Sequence, residues 1–204
     1  MRDTNKTKII IIIALLISVA TLSLGFAAFS STLTIKSSAS VKPNSSTFNV
    51  SLSTSGTAVQ TGSVTPTTTG ATGEAATLTA STISGLKANF TAPGQSVKYS
   101  FYAYNAGSFN GYLNSVSIGS KTCTAASGTN QTYVNSACNG ISISVKVGTN
   151  TYNTSNTNIS SHTLNKGASE AVEVTISYAA NAAVADGDFS VSFGDTVLTY
   201  GSAD

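Results

Sequence analysis

Charged residues are scarce in this chain of 204 residues, and some residue types are almost missing. Asp, Glu, Lys and Arg make up 9% of it, about a third of the share usual in globular proteins. The ten Lys and Arg residues are spread thinly, which excludes the basic patch of a nucleic-acid binder. The chain has no Trp and one His, His162, so a His-based metal site has too few ligands. We therefore expect no nucleic-acid partner, no metal and no cofactor.

Small polar residues take the place of the missing charge. Ser and Thr make up nearly a third of the chain, hydrophobic residues make up 41%, and the formal net charge is +2. The sequence lacks the Ala, Glu, Lys, Leu and Arg richness of a coiled coil. Its length suits one domain with a substantial core. This composition is typical of an exported β protein.

The N-terminus has the pattern of an export signal. Arg2, Lys6 and Lys8 precede an uncharged run, residues 9–29, which is strongly apolar at first and then rich in small residues. A basic start, an apolar stretch and a small-residue end predict a secretory signal peptide. A retained transmembrane helix is the alternative, because about 20 apolar residues span a bilayer. In both cases the positive-inside rule places the rest of the chain outside the cytoplasm.

Cleavage after Ala27 or Ala28 makes residues 1–28 a signal peptide. We take Ala28 and Phe29 as the cleavage junction, with signal peptidase as a partner. An uncleaved chain instead keeps residues 9–29 as its only contact with a membrane. Removal of the signal takes away three of the ten basic residues and one of the eight acids, which leaves seven of each. A neutral, weakly charged surface lacks the repulsion that keeps proteins monomeric.

Alternating apolar and polar residues predict an all-β domain over residues 29–204, with no helix longer than about three turns after the signal. One apolar and one polar face per strand indicate a single antiparallel β-sandwich. Gly194-Asp195 is either a hairpin turn that pairs Phe189 with Tyr200 or a Gly bulge within one long strand. The apolar faces consist of Phe48, Val50 and Leu52; Val97, Tyr99, Phe101 and Ala103; Ile141, Ile143, Val145 and Val147; Val172, Val174, Ile176 and Tyr178; and Phe189, Val191 and Phe193.

Residues 53–76 depart from this alternation. They are rich in Thr, Gly and Ala, and they contain almost no large apolar side chains. Such a segment buries too little surface to offset the entropy that it loses on ordering. We therefore expect a flexible, exposed loop within the sandwich domain.

The two cysteines, Cys123 and Cys138, both follow the export signal. An oxidising compartment favours a disulfide between them, and the intervening sequence is rich in turn-forming residues. We expect a local bridge across a long loop. In the chain-entropy model, a loop of about 15 residues gains roughly 3 kcal/mol from such a bridge.

The sequence offers little for catalysis. A Ser-His-Asp triad would need His162 as its base, but this residue lies in a loop-like context without a nucleophile elbow. We therefore expect His162 to be an ordinary solvated residue. Asp186 and Asp188 have the chemistry to bind calcium, but two carboxylates in a hairpin are more often turn residues. We expect that the protein is not an enzyme.

Three stretches together resemble the bacterial TasA/camelysin family. The junction GFAAFSSTLTI resembles the signal-peptide boundary of that family. The stretch FTAPGQSVKYSFYAYNAGSFNGYL is similar to its P-G-[DQ]-x-[LV] strand and to the following strand, which ends in N-x-G. The C-terminal LNKGASEAVEVTISYAANAAVADGDFSVSFGDTVLTY looks like its closing pair of strands. The order and rough spacing agree along most of the chain outside residues 53–76.

This resemblance implies a jelly-roll-like sandwich that is exported from a Gram-positive-type cell. It also implies signal removal by a dedicated signal peptidase and assembly into extracellular matrix fibres. Camelysin relatives have been labelled metalloproteases, but the present sequence has no recognisable zinc ligands. We therefore do not carry the protease activity over to this chain.

The exported N-terminus has a strand pattern of its own. Phe29, Leu33 and Ile35 share one face of FSSTLTIKS, and the other face is polar. A loose terminal strand with an apolar face can add to the open sheet edge of a neighbour. Such a contact is head-to-tail and makes filaments. The alternative is that this strand pairs within its own domain.

Two functions follow from the sequence and the resemblance. The first is a secreted structural subunit of a biofilm-matrix fibre, a head-to-tail homopolymer joined by the N-terminal donor strand. The alternative is a single-pass, membrane-anchored adhesin or binding module at the cell surface that does not polymerise. An enzyme of the camelysin kind is a third hypothesis, and chelator-sensitive proteolysis would support it.

Overall fold

A computed structural model describes residues 48–159 and 161–202, which belong to one compact unit. The predicted signal peptide, the Ala28–Phe29 junction and the donor strand with Leu33 and Ile35 lie outside these residues. The fold is all-β and antiparallel, as the alternation predicted, with two layers of strands around one core. No helix of the described residues is long and apolar enough to cross a membrane.

The first layer, here the front sheet, has six strands. In space the order is β1, β8, β14, β11 and β12, and β3 pairs with β8 beside β1. Strand β8 is ten residues long, or about 30 Å. We call the end where it begins the distal end and the end where it finishes the proximal end. The front-sheet strands are β1 (Val50–Ser53), β3 (Thr67–Thr69), β8 (Ser96–Asn105), β11 (Ile141–Val147), β12 (Asn150–Tyr152) and β14 (Ser169–Tyr178).

The second layer consists of two sheets placed end to end. The rear-distal sheet has the order β10, β15, β7, β4, and the rear-proximal sheet has the order β13, β9, β16, β6, β5, β2. Their strands are β2 (Gly62–Val64), β4 (Thr72–Gly73), β5 (Ala76–Leu78), β6 (Thr82–Ser84), β7 (Lys87–Phe90), β9 (Gly111–Ser117), β10 (Lys121–Ala125), β13 (Thr163–Leu164), β15 (Phe189–Phe193) and β16 (Thr196–Ser202).

The strand pairing continues in the same register from the rear-distal sheet into the rear-proximal sheet. Ser192 faces Lys87 in the rear-distal sheet, and Thr196 faces Ile83 in the rear-proximal sheet. From the first pair to the second, one strand moves forward by four residues and its antiparallel partner moves back by four, so the register is unchanged. The hairpin predicted at Gly194-Asp195 is therefore wrong, because β15 and β16 are two halves of one long strand. The bulge alternative was right about the long strand, but the register shift lies between Thr199 and Tyr200.

The core lies between the layers and follows the predicted faces. Val97, Tyr99 and Phe101 of β8 are buried, as are the corresponding apolar residues of β11, β14 and β15. The ring of Tyr178 lies 5.6 Å from that of Phe90 and 5.8 Å from that of Phe189, centroid to centroid. Because β14 belongs to the front sheet and β7 and β15 to the rear, these aromatic contacts join the two layers.

Residues 53–76 differ from the expected loop. They contain β2, β3 and β4, which pair with β5, β8 and β7 and so enter all three sheets in turn. Val64 and Ala71 are buried, although most of the segment is exposed. Thr-rich sequence is compatible with strands, and the existing sheet edges provide the pairing that the segment cannot generate alone.

The described residues contain a short helix, α1 (Gln131–Cys138), whose eight residues stay within the predicted limit of about three turns. Asn130 caps it by accepting a hydrogen bond from Thr132 N at 2.9 Å. Val134 and Ala137 are its buried residues. The helix ends at Cys138 and leads through Asn139-Gly140 into β11.

Candidate functional site

His162 is not a solvated loop residue, which corrects the expectation from sequence. Its Nε2 lies 2.6 Å from Glu170 Oε2, and the two side chains are 10% and 14% exposed. On the other side of the ring, Asn150 Nδ2 lies 2.9 Å from Nδ1. Tyr200 completes the group by donating its hydroxyl to Glu170 Oε1 at 2.9 Å. We call these four residues the His162 cluster.

The topology brings the His162 cluster together at the side of the sandwich. Asn150 and Glu170 lie on β12 and β14 of the front sheet, whereas Tyr200 lies on β16 of the rear-proximal sheet and His162 immediately precedes β13. Gly148 allows the close approach, since a Cβ there would lie 2.9 Å from Glu170 Oε2. Its φ of +56° is also one that favours glycine.

The electrostatics of the His162 cluster favour neutral phenols beside the carboxylate. Burial raises the pKa of Tyr200 far above its ordinary value, and the negative charge of Glu170 adds to this shift. Burial also raises the pKa of Tyr152, again with a contribution from Glu170. Both hydroxyls therefore keep their protons and remain available as hydrogen-bond donors at neutral pH.

The geometry of His162 does not fit a catalytic triad. In a triad the carboxylate orients one ring nitrogen and the other nitrogen faces the nucleophile. Here Glu170 and Asn150 occupy the two ring nitrogens. The arrangement holds two sheets together and leaves no ring nitrogen for a nucleophile's proton.

The predicted Cys123–Cys138 disulfide is confirmed. It joins β10 to the last residue of α1, with the two Cα atoms 6.2 Å apart. Lys121, also on β10, donates from Nζ to Cys138 O at 2.6 Å and to Ile141 O at 2.7 Å. Partial burial lowers the pKa of the Lys121 amine.

Gln131, at the start of α1, contacts the edge of β10. Its Nε2 lies 3.2 Å from Cys123 O, and its Oε1 accepts from Ala125 N at 3.0 Å. Asn135 Oδ1 accepts from the same Nε2 at 2.8 Å and so fixes the orientation of the amide. No sequence signal in Gln131 itself indicated this role, although the capping residue Asn130 was a detectable sign of the helix.

Asp186 and Asp188 accept hydrogen bonds from the segment that precedes α1. Asp186 Oδ1 accepts from Asn130 N at 3.0 Å, and Asp188 O accepts from the Ala126 amide and the Thr129 hydroxyl. Over residues 48–159 and 161–202, no group of three His, Cys, Asp or Glu side chains is placed to hold a metal ion.

One cleft of about 470 Å³ lies across the rear-distal sheet, at its distal end. Thr72, Asn89, Ser190 and Thr124 face one another across its four strands. Their hydroxyl and amide groups share the lining with Phe90, Ala125 and Phe189, and the lining is more apolar than polar. A few polar groups in a mostly apolar lining are typical of a small-molecule site.

The front sheet has an incompletely paired edge on β11. Strand β12 covers only Val145–Val147, and Lys121 binds the carbonyl of Ile141. Within the described part of the chain, residues 142–144 therefore have no strand partner on that side. Ile143 faces Ile176, which faces Val97, so this open edge lies at the distal end.

Comparison of the chain with protein-family models, curated proteins and solved structures finds no match.

Proposed function

We propose that this chain is an exported structural subunit of an extracellular matrix fibre. Subunits join head-to-tail when the N-terminal segment of one adds as a strand to the next. The resemblance to the TasA/camelysin family supports this function, and the antiparallel sandwich suits the jelly-roll relationship that it implies. Localisation outside the cell, cleavage at Ala28–Phe29 and a homopolymeric partner are parts of the same proposal.

The observation that carries the proposal is the distance between the point where the described chain begins and the open edge of β11. The described chain enters β1 at Val50, opposite Asn105, at the proximal end of the front sheet. The open edge at residues 142–144 lies level with Val97, about 26 Å away along β8. A segment that leaves one end and binds an edge at the other end generates translation instead of a closed pair.

The described residues form a connected core. Their buried apolar side chains run from Leu52 to Leu198 and form one cluster that connects both layers. In the donor-strand proposal, Leu33 and Ile35 belong to a contact with a neighbouring subunit instead of to this core. In the neighbouring subunit, Leu33 and Ile35 would pack against the sheet at the open edge of β11. Each side chain would contribute roughly 1.5–3 kcal/mol to the free energy of assembly if fully buried.

The double substitution Leu33→Asp with Ile35→Asp tests this proposal. We expect it to abolish filaments in negative-stain images, because an unpaired buried charge costs more than the lost apolar contact. The thermal unfolding of the domain should not change. Thr34→Asp, on the opposite face of the strand, is the matched control and should leave filaments intact. Filaments at wild-type yield in the double variant would contradict donor-strand assembly.

A cross-link between subunits tests the acceptor site. A subunit that carries both Thr34→Cys and Ser142→Cys should form a disulfide ladder on a non-reducing gel after oxidation, because the cysteine at position 34 of each copy pairs with the cysteine at position 142 of the next. Thr34→Cys with Thr199→Cys is the control, because Thr199 lies on the rear-proximal sheet, and it should give no ladder. N-terminal sequencing of the secreted material should begin at Phe29.

The second candidate is a membrane-anchored adhesin or binding module that does not polymerise. The cleft of the rear-distal sheet favours it, because a mostly apolar lining with a few hydroxyl and amide groups is typical of a ligand-binding site. A retained segment 9–29 on cell-associated protein, with no filaments, would support this function.

A further inference from the structure

Strand β10 is an edge strand whose free side is occupied by a side chain. Among the described strands, it pairs with β15 alone. On its other side, the Gln131 amide donates to Cys123 O and accepts from Ala125 N. A Gln side chain has the same donor and acceptor groups as a peptide unit. Gln131 thus takes the place of one residue of a neighbouring strand.

Several contacts fix α1 in this position. The Cys123–Cys138 bridge ties its last residue to β10, and Lys121 binds the Cys138 carbonyl. Val134 and Ala137 are fully buried beneath the helix. The helix is therefore held at both ends against the edge that it covers.

An uncovered β10 would be suited to pairing with itself. In an antiparallel pair centred on Cys123, Lys121 of each copy lies opposite Ala125, so like charges do not face each other. Thr122 then lies opposite Thr124, a favourable cross-strand pair. The exported chain also has equal numbers of basic and acidic residues, so repulsion between copies is weak.

We propose that α1 covers the edge of β10 and so prevents β10 from pairing with β10 of a second copy of this chain. Exposed strand edges are templates for association, and natural proteins cover them with helices or loops. With β10 closed, the sandwich cannot associate along this edge of the rear-distal sheet. The inference is independent of fibre assembly, since it concerns a different edge and a different contact.

Hydrogen exchange tests directly whether the Gln131 side chain protects the edge of β10. Gln131→Ala, with the disulfide intact, should speed exchange of the Ala125 amide at least tenfold. The Thr124 amide, which faces β15 because alternate amides point to opposite sides, should not change. Ser136→Ala, on the same helix, removes a hydroxyl that donates to Thr132 O, so it is the control and should leave Ala125 protected. Unchanged exchange at Ala125 in Gln131→Ala would overturn the inference.

Association is measured in the exported chain that also carries Leu33→Asp and Ile35→Asp, so filaments do not contribute. Gln131→Ala with Cys123→Ser and Cys138→Ser should double the mass in sedimentation at micromolar concentration. The protein without these three changes should stay monomeric. A folded variant that stays monomeric would contradict the proposal that α1 prevents this pairing. If this variant does not fold, the sedimentation of Gln131→Ala alone is measured over a range of protein concentrations. We expect it to form a dimer as the concentration rises. A Gln131→Ala protein that stays monomeric at every concentration would contradict the proposal.

Discussion

Glu170 is the acceptor on which the His162 cluster depends. Its two oxygens receive hydrogen bonds from His162 Nε2 and from the Tyr200 hydroxyl, in a site from which most water is excluded. The front sheet thereby contacts the rear-proximal sheet through polar groups as well as through the core. Removing a shared buried acceptor leaves two donors without partners, and each costs about 1–3 kcal/mol.

Glu170→Ala should lower the free energy of unfolding by about 2–4 kcal/mol. Glu173→Ala is a matched control on the same strand, because Glu173 pairs with Lys98 at 3.0 Å and both side chains are at least a third exposed. Its loss should cost less than about 1 kcal/mol. Urea denaturation measures both variants. Equal effects of the two substitutions would show that the His162 cluster adds no stability.

The sequence could not predict the His162 cluster. His162 and Glu170 are near each other in the chain, but Tyr200 and Asn150 reach them only through strand pairing. Only the fold of β12, β14 and β16 makes these positions neighbours. The disulfide was predictable because the close spacing of Cys123 and Cys138 and the expectation of export both favour a bridge between them.

The long bent strands of the rear layer depend on glycine at the bend. A Cβ on Gly119, between β9 and β10, would lie 2.2 Å from the backbone carbonyl carbon of Gly194. Gly194, between β15 and β16, donates its amide to Ser120 O at 3.0 Å. Two backbones therefore meet where the two rear sheets join, and no side chain fits between them.

Gly119→Ala should lower the free energy of unfolding by about 2 kcal/mol, since overpacking forces the backbones apart. Ser120→Ala, at the next position, is the control, because its exposed side chain is not needed for the bond that its carbonyl accepts. Chemical denaturation of both variants measures the difference. A Gly119→Ala protein as stable as the control would mean that the bend adjusts without cost.

Long strands were predictable from sequence, and short elements were not. The alternation over residues 96–105, 141–147 and 169–178 persists for seven to ten residues and corresponds to β8, β11 and β14. Strands β2, β3 and β4 have two or three residues each, too few for a period to show. Their pairing is imposed by the edges of longer strands.

Neutral tyrosines link the layers throughout the molecule. Burial is the largest cause of a raised pKa at Tyr99, Tyr152, Tyr178 and Tyr200. The Tyr99 oxygen lies 2.8 Å from Lys87 O and 2.9 Å from Glu74 O, and Tyr178 donates to Ala183 O. Their hydroxyls hold strands and loops together only while they keep their protons.

The free energy of unfolding should fall as pH rises above about 10. Unfolded tyrosines lose their protons near that pH, whereas the folded ones retain them, so the unfolded state binds fewer protons and gains stability. Each such tyrosine contributes a slope of about 1.4 kcal/mol per pH unit within this window. Urea titrations at neutral and alkaline pH measure the slope. Tyr200→Phe should reduce it, and a slope of zero in the wild type would contradict the expected shifts.

The order in which the chain is made matters for the rear layer. Strands β15 and β16 lie between β7 and β10 and between β6 and β9, although they are the last strands in the sequence. A chain that leaves the ribosome or an export channel N-terminus first therefore presents its other rear strands before their central partner exists. Folding that proceeds from the N-terminus therefore cannot complete this domain before β15 and β16 have emerged. Until then, the other rear strands lack the partner that joins them.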